Sequence, residues 1–467
     1  MPKTIFGTTE KSNFILNMRP ETVQKWIHGV LLCCVIVPQL GAMAITLSNT
    51  TTVWLSSFLY ATGFTGILFY LIVMLRADLK FFENPAYTII SVIALLSVVS
   101  YYGILIRGGG DEYLKTALFG TQGRYEGLLS LLAYFGIFLV ATCVSRKKTI
   151  KSVFDILICA GILQAVYAVL QHIPGLGFPS DFNDLPFTRL QNVMLSSGLA
   201  DSPIFYGSFV TLVSGVAVMG AIFDKSIIRA RVYGLAAVLF LLTGLFTSSI
   251  VPIIGIGAAL AGTVVIVALN RAKGVELSFK GGLLITPELR FAVLFGTLLG
   301  VFTLVYLFQG IYIRDKAIAL SDAFFRLWII GNPSPVNPLS LYQIAWTLSM
   351  DMALALPLTG VGPDCFAFVQ FHAIDSIDKS YNEYLFIAAT RGIPSLLAYL
   401  ALIWVALRKG IGRMGDFFRD SENWFAPALF IAVAAYLLQS FWSVSAITVA
   451  PFFWLLLGFM CAKRIED

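Results

Sequence analysis

Uncharged apolar runs of about twenty residues recur from one end of this chain to the other, and no other feature limits its fold as strongly. Residues 53–75 and 203–223 are typical, each passing its whole length without a Lys, Arg, Asp or Glu. Hydrocarbon offers backbone N–H and C=O groups no partner. A run of that length must therefore close its own hydrogen bonds as helix. Twelve apolar runs of membrane-spanning length, some with one or two charged residues, are read at about 26–47, 53–75, 86–106, 126–144, 152–171, 203–223, 231–249, 251–270, 291–309, 382–407, 425–441 and 443–462. The pair meeting at Ser248-Ser249-Ile250-Val251-Pro252 has the shortest connection. A composition of 58% hydrophobic and 12% charged residues agrees, since no soluble domain has that balance. The expectation is one all-α polytopic integral membrane domain over residues 1–467, with about twelve transmembrane helices.

Charge gives an independent reading of the topology. With the N-terminus inside, the inner segments collect Lys3, Lys11, Arg19 and Lys25, then Arg76 and Lys80, then Arg146, Lys147, Lys148 and Lys151. They go on to collect Lys225, Arg229 and Arg231, then Arg271, Lys273, Lys280 and Arg290. Arg408, Lys409, Arg413 and Arg419 follow, and finally Lys463 and Arg464. The outer segments hold Arg107, Lys115, Arg124, Arg189, Arg314, Lys316, Arg326 and Lys379. This is the bias of the positive-inside rule, and it puts both termini in the cytoplasm. The formal net charge of +6 is accordingly a matter of topology, and no nucleic-acid partner is expected. Residues 1–25 are polar and basic, with no small-x-small cleavage signal before the first apolar run, so an uncleaved signal anchor is read there.

Three outer loops are longer than the rest, at about 107–125, 172–202 and 310–381, and all face one side. The last is a large extracytoplasmic loop, and a loop of that length commonly carries function. Within it, 341–356 has helical spacing, with Trp346, Met350 and Leu354 on one face, suited to lying along the membrane surface. The six cysteines form no disulfide framework, and Cys365 alone falls in the large loop. The three histidines, His28, His172 and His372, are too scattered for a histidine metal centre, and no cofactor is expected.

Several polar residues lie where chemistry is plausible. Arg189 is either an arginine fork for phosphate oxygens or a salt-bridge partner of Asp181 or Asp184. Asp201 or Ser202 before Pro203 has the form of a helix N-cap. Arg124 and Glu126, at the mouth of the fourth run, either anchor a helix or face a ligand. The stretch Pro357-Leu358-Thr359-Gly360-Val361-Gly362-Pro363-Asp364 is a backbone-defined turn that fixes the path of the loop. Lys379, Asn382, Glu383 and Arg391 gather around the start of the tenth run, where buried polar groups mark sites by default. Glu383 and Arg391, eight residues apart, fall near one helix face, and Glu383 is a general-base candidate.

These motifs together resemble the O-antigen ligase/polymerase (Wzy_C) superfamily of bacterial membrane glycosyltransferases, of which this chain would be a divergent member. The resemblance rests on Trp346, on Pro357 through Gly360, Gly362 and Asp364 to Phe366, and on Asp378 through Tyr381, Asn382 and Tyr384 to Leu385, then Gly392-Ile393-Pro394. Gly123-Arg124-Tyr125-Glu126-Gly127-Leu128 and the loop from Arg189 through Pro203 to Gly207 are similar too. It implies a GT-C-like, metal-independent enzyme of the bacterial cytoplasmic membrane. Such an enzyme moves a glycan from undecaprenyl diphosphate to a glycan or cell-wall acceptor. On that reading Arg189, with Arg124 or Arg391, would hold the diphosphate, Asn382 would position the acceptor together with Tyr381, and Lys379 and Asp364 would also belong to the substrate-binding site. Glu383, His372 and Tyr381 would be the catalytic candidates. The chain departs from the family pattern at Tyr381, where a His is usual, at Tyr342, where an Arg is common, and at Ile250, which follows Ser249 in place of an Arg. Tyr381, with an ordinary phenol pKa near 10, is a poor base at neutral pH. Alternatives are a lipid-glycan binder that keeps the fold without the chemistry, and a secondary transporter, for which no internal repeat is visible.

Overall fold

A computed structural model describes residues 20–48, 53–75, 84–121, 124–173, 195–200, 202–273, 286–305, 307, 338–369 and 377–462. Among these residues the regular structure is helical throughout. In chain order the helices are α1 (Pro20–Ser48), α2 (Val53–Leu75), α3 (Pro85–Ile106), α4 (Asp111–Phe119), α5 (Leu128–Thr142), α6 (Lys147–His172), α7 (Pro203–Phe223) and α8 (Ile227–Phe246). They continue with α9 (Ile250–Ala272), α10 (Pro287–Val305), α11 (Pro338–Ala355), α12 (Glu383–Arg391), α13 (Ile393–Arg419), α14 (Phe425–Gln439) and α15 (Ala450–Cys461). Nine helices among the described residues are long and apolar enough to cross a membrane, and α5 and α15 are shorter apolar helices. The protein is an all-helical polytopic membrane protein.

Local chemistry explains where the helices start. Asn84 caps α3 by accepting from the Ala86 N–H at 3.2 Å, with Pro85 in the first turn. Ser202 precedes Pro203 in extended backbone, the arrangement expected of that sequence, although its hydroxyl makes no capping bond. The short Ser248–Ser249 connection does separate two helices. Ser248 takes a left-handed φ of 50°, and the Thr247 hydroxyl accepts from the Ser249 N–H at 3.1 Å.

Helix α7 is the hub, with 94% of its apolar window buried, whereas α10 is peripheral at 17%. Small residues let backbones meet. A Cβ added to Gly66 of α2 would lie 2.6 Å from the Gly136 carbonyl oxygen of α5, and one added to Gly215 of α7 would lie 2.7 Å from the Ala432 Cα of α14. Close backbone approach of this kind is how helices associate where lipid is as apolar as their own side chains.

The bundle has two chemically distinct ends. One gathers the starts of α1, α3 and α10 with the ends of α5, α7, α13 and α15. There Gln24 donates to the Cys143 carbonyl, Lys409 to Asn84 Oδ1 and Arg290 to the Asp224 carbonyl, while Lys225 pairs with Glu422. This is the end rich in basic residues. The opposite end gathers the end of α3, helix α4, the start of α7 and the segments 356–369, 377–382 and 440–449.

One expected span is corrected. The run 382–407 is not a single helix but two, α12 and α13, divided at Gly392. The Tyr399 hydroxyl donates to Glu383 Oε1 at 3.0 Å, across sixteen residues of chain. A straight helix would separate those Cα atoms by about 24 Å, beyond the reach of both side chains. The chain therefore folds back at Gly392: α12 rises out of the bundle interior and α13 runs back through it. Glycine is required there, because φ is +87° and a Cβ would lie 2.5 Å from the Leu358 carbonyl oxygen.

Candidate functional site

The fold-back carries Asp378, Lys379, Tyr381 and Glu383 into the end of the bundle opposite the basic loops, beside the segment entering α5. Backbone hydrogen bonds fix its position. Val361 N–H donates to the Ala389 carbonyl at 2.9 Å, Gly362 N–H to Thr390 at 2.8 Å, and Ile393 N–H to Pro357 at 2.8 Å. The Glu383 N–H, at the start of α12, reaches the Ser440 carbonyl at 2.9 Å. From the other side, Tyr113 of α4 donates to the Val361 carbonyl at 2.5 Å and stacks on Phe368, so the 107–125 loop is docked on the same segment. The third outer loop enters through its described end. Gln171 Oε1 accepts from Ser197 and Gly198 N–H at 3.0 and 2.9 Å, and Phe205 of α7 lies 5.2 Å from Lys379 Nζ.

At the centre, Arg124 is 3% exposed and forms a buried ion pair with Asp364 through one terminal nitrogen. Its Nε and other terminal nitrogen find no hydrogen-bond partner among the described residues, and its plane sits 4.6 Å from the Phe386 ring centroid. Burial opposes the charge, but the Asp364, Asp378 and Glu126 carboxylates outweigh it and hold the guanidinium pKa above its ordinary value. Asp364 is fully committed: its second oxygen accepts from the Thr121 and Glu126 N–H groups at 2.6 and 3.2 Å. Its place is therefore that of a clamp on Arg124 and on the backbone at Thr121 and Glu126.

Lys379, 8% exposed, approaches the half-exposed Asp378 at 3.5 Å and lies 5.4 Å from the Tyr381 ring centroid. Burial pulls its pKa down, and Asp378 only partly restores it. Tyr381 is buried and packs against Tyr342 with ring centroids 5.2 Å apart. Burial raises its phenol pKa well above the ordinary value, so it can donate a hydrogen bond but not take a proton. The Asn382 side-chain oxygen caps α12, accepting from the Leu385 N–H at 3.0 Å. This is structural work for the amide oxygen. Glu383 is buried; burial raises its carboxyl pKa, opposed by the Tyr399 hydrogen bond and the Arg391 charge. Glu383 and Arg391 form no ion pair.

Arg189 and His372 lie outside the described residues. The other seven candidates, Arg124, Asp364, Lys379, Tyr381, Asn382, Glu383 and Arg391, come together. Glu126, named in the sequence only as an anchor or ligand-facing residue beside Arg124, belongs with them. It is 4% exposed and accepts from Tyr134 at 2.7 Å. Burial, with the Asp364 charge beside it, pushes its pKa up to about 8. Its signal was a carboxyl placed immediately before an uncharged helix, too common a pattern to single out alone.

The backbone is strained at the same place. Tyr125, Asp364 and Tyr381 adopt left-handed φ values of 52°, 54° and 50°, three of the four such non-glycine residues described. Each costs on the order of 1–3 kcal/mol, and strain of this kind persists where the surroundings over-determine it, often at functional sites. Compared with known proteins, the chain matches no family model and shows no significant match to a curated protein.

Proposed function

We propose that this cluster is the site of a glycosyltransferase of the O-antigen ligase/polymerase kind. It would transfer, or polymerise, a glycan carried on undecaprenyl diphosphate during cell-envelope polysaccharide assembly. One observation carries the reading: two buried cations, Arg124 against the Phe386 ring of α12 and Lys379 on the segment leading into α12, gather around the helix that begins with the buried Glu383, at the end of the bundle poor in basic loops. By the positive-inside rule that end faces out of a bacterial cytoplasmic membrane, with both termini in the cytoplasm and the fold GT-C-like. There a lipid tail stays in the bilayer while its diphosphate meets cations.

The free Arg124 donors suit two oxygens of the diphosphate, and Lys379 adds a point charge. Arg189 and Arg391 are further cations for the same group. In the reaction the acceptor O–H bond breaks as its oxygen bonds the anomeric carbon. The anomeric C–O bond to phosphate breaks, and its electron pair leaves with the diphosphate. Glu383 receives the acceptor proton, a role Tyr381 cannot fill and for which burial has brought a carboxyl toward neutral pH. Charge stabilisation and positioning supply the rest of the rate.

The test is transfer by the purified protein in lipid, given undecaprenyl-diphosphate-linked sugars. Wild type is run beside Glu383→Gln and Arg124→Lys, the latter keeping the charge on Asp364 while removing the fork. Product from wild type, lost in Glu383→Gln, supports the enzyme. A second reading, a non-catalytic lipid-glycan binder, is favoured by the capping of Asn382 and the tyrosine at 381. It requires lipid bound in an Arg124-dependent way with no product from any form.

A further inference from the structure

Helix α11 ends in a ridge of large apolar side chains that the rest of the protein does not cover. Leu354 and Leu358 are 72% and 71% exposed, and Met350, one turn earlier on the same face, is exposed too. Trp346, expected to share that face, is instead half-buried. On the other side of α11, Ala345, Ser349 and Met352 are buried, and the helix packs on α12. The ridge runs into the sides of two spanning helices. The Ile393 N–H of α13 donates to the Pro357 carbonyl at 2.8 Å, and a Cβ on Gly103 of α3 would meet the Thr359 Cβ at 3.3 Å. Leu358 is thus flanked by the ends of α3 and α13, whose own outward residues there, Ile106 and Leu397, are 87% and 61% exposed. Polar groups mark where this apolar surface stops. Arg107, next to Ile106, donates to the Thr359 hydroxyl at 3.0 Å and to the Val361 carbonyl at 3.2 Å, and Asp111 and Glu112 beyond it are exposed. On α11 the exposed Asp351 lies about 100° around the helix from Met350, on the flank of the ridge.

We propose that the ridge of Met350, Leu354 and Leu358 is inserted in the bilayer, in the leaflet at the end opposite the basic loops. The turn at 356–360 is then a membrane-embedded apex and not part of a water-facing loop. Continuity with the sides of α3 and α13, two helices long and apolar enough to cross a membrane, is the first ground. The backbone of the turn is the second. Hydrocarbon tolerates an irregular segment only where its polar groups are paired. Here the Leu356 carbonyl accepts from the Gly360 N–H at 2.8 Å, the Pro357 carbonyl accepts from Ile393, and Pro357 has no N–H to expose. An apolar row with a charged flank is also the pattern of a helix lying in the interface. The occupant is lipid and not a second copy of the chain, because the ridge is continuous with surfaces that the spanning helices already give to lipid. The insertion is independent of the reaction proposed above, yet it reaches the site. Asp364, six residues beyond Leu358, is the partner of Arg124, so their ion pair is tethered close to the boundary between lipid and water.

The test uses the full-length protein in vesicles of phosphatidylethanolamine and phosphatidylglycerol, with a photoreactive benzophenone amino acid placed in turn at positions 354, 358, 351 and 397. After irradiation, lipid adducts are counted by mass spectrometry of the intact protein. The side chains at 354 and 358 are mostly exposed, so the replacement disturbs no core packing. Both positions are expected to form lipid adducts as abundantly as position 397 of α13, with position 351 well below them. Yields at 354 and 358 no higher than at 351 would overturn the insertion, as would cross-links from either position to a second copy of the chain. A second measurement needs no foreign side chain. Leu358→Asp puts a charge into the leaflet and should lower the unfolding temperature in vesicles by more than Asp351→Asn does. Small, equal shifts from the two would place the ridge in water. Neither readout requires turnover, so the ridge can be found in lipid in a chain that transfers nothing, or found in water in one that does.

Discussion

At one end of the bundle Lys409 and Arg413 turn their donors onto backbone carbonyls at the end of α15, those of Cys461, Phe459 and Ala462. At the other end Arg124 gives one nitrogen to Asp364 and keeps two without a partner among the described residues. The first arrangement finishes a helix: cations placed against the negative end of its dipole satisfy carbonyls that have no partner within it. The second finishes nothing. It buries a guanidinium against a single carboxylate, over strained backbone, with hydrogen-bonding capacity in hand. Cations committed to the fold and cations with donors to spare are told apart here by what their donors reach among the described residues, not by charge or burial alone.

The comparison breaks most sharply if Glu383 proves dispensable. Glu383→Gln is expected to lower transfer by about 10²–10⁴-fold, the usual worth of a general base, with helical content and detergent-solubilised size unchanged. Unaltered turnover would remove the base from the site.

Next in size is Asp364→Ala. It removes the carboxylate that pairs directly with the buried Arg124, and breaking a buried pair in this way typically costs about 3–5 kcal/mol. Thermal unfolding in detergent should show a large loss of stability, and a loss below 1 kcal/mol would mean that water or lipid already reaches the guanidinium.

The pH dependence of stability sharpens the contrast further. Folding raises the Glu126 pKa from 4.5 to about 8, so the folded state binds the extra proton. Its contribution is therefore most favourable at and below pH 4.5 and is lost progressively as pH rises toward 8. Glu126→Gln should flatten the unfolding temperature across that window, and an unchanged slope would assign it to another group.

The smallest effect belongs to the basic end. Lys409→Met removes donors to Asn84 and the Cys461 carbonyl and is expected to cost about 0.3–1 kcal/mol, with transfer unchanged. A loss of turnover comparable to that of Glu383→Gln would erase the distinction between the two ends.

Much of the architecture could be read in the residues. Lipid leaves a long apolar run little choice but helix, and the apolar stretches are largely helical, although 382–407 holds two helices and 443–462 is helical only from Ala450, with the basic loops drawn to one end. The fold-back was legible only as an interruption at Arg391-Gly392, because a helix that turns and one that merely kinks have the same hydrophobic pattern. Within the site, the motif residues around Asn382 were visible, but their division of labour was not. Asn382 and Asp364 read in the sequence only as ligand contacts, whereas the Leu385, Thr121 and Glu126 N–H groups give one oxygen of each a structural task. Glu126 needed the opposite information, the depth at which an ordinary-looking helix entrance sits against α12.

The fold-back at Gly392 also bears on how the protein is made. Nine residues of α12 are too short to enter a bilayer as an independent segment, and they begin with a carboxyl that hydrocarbon would reject. The 393–419 stretch must instead be threaded first. Only afterwards can α12 settle against α3 and the 357–365 turn, through the Ser100–Thr390 and Val361–Ala389 hydrogen bonds. During biogenesis, then, the spanning helices precede the site, and a chain can be fully inserted while the cluster around α12 is still incomplete.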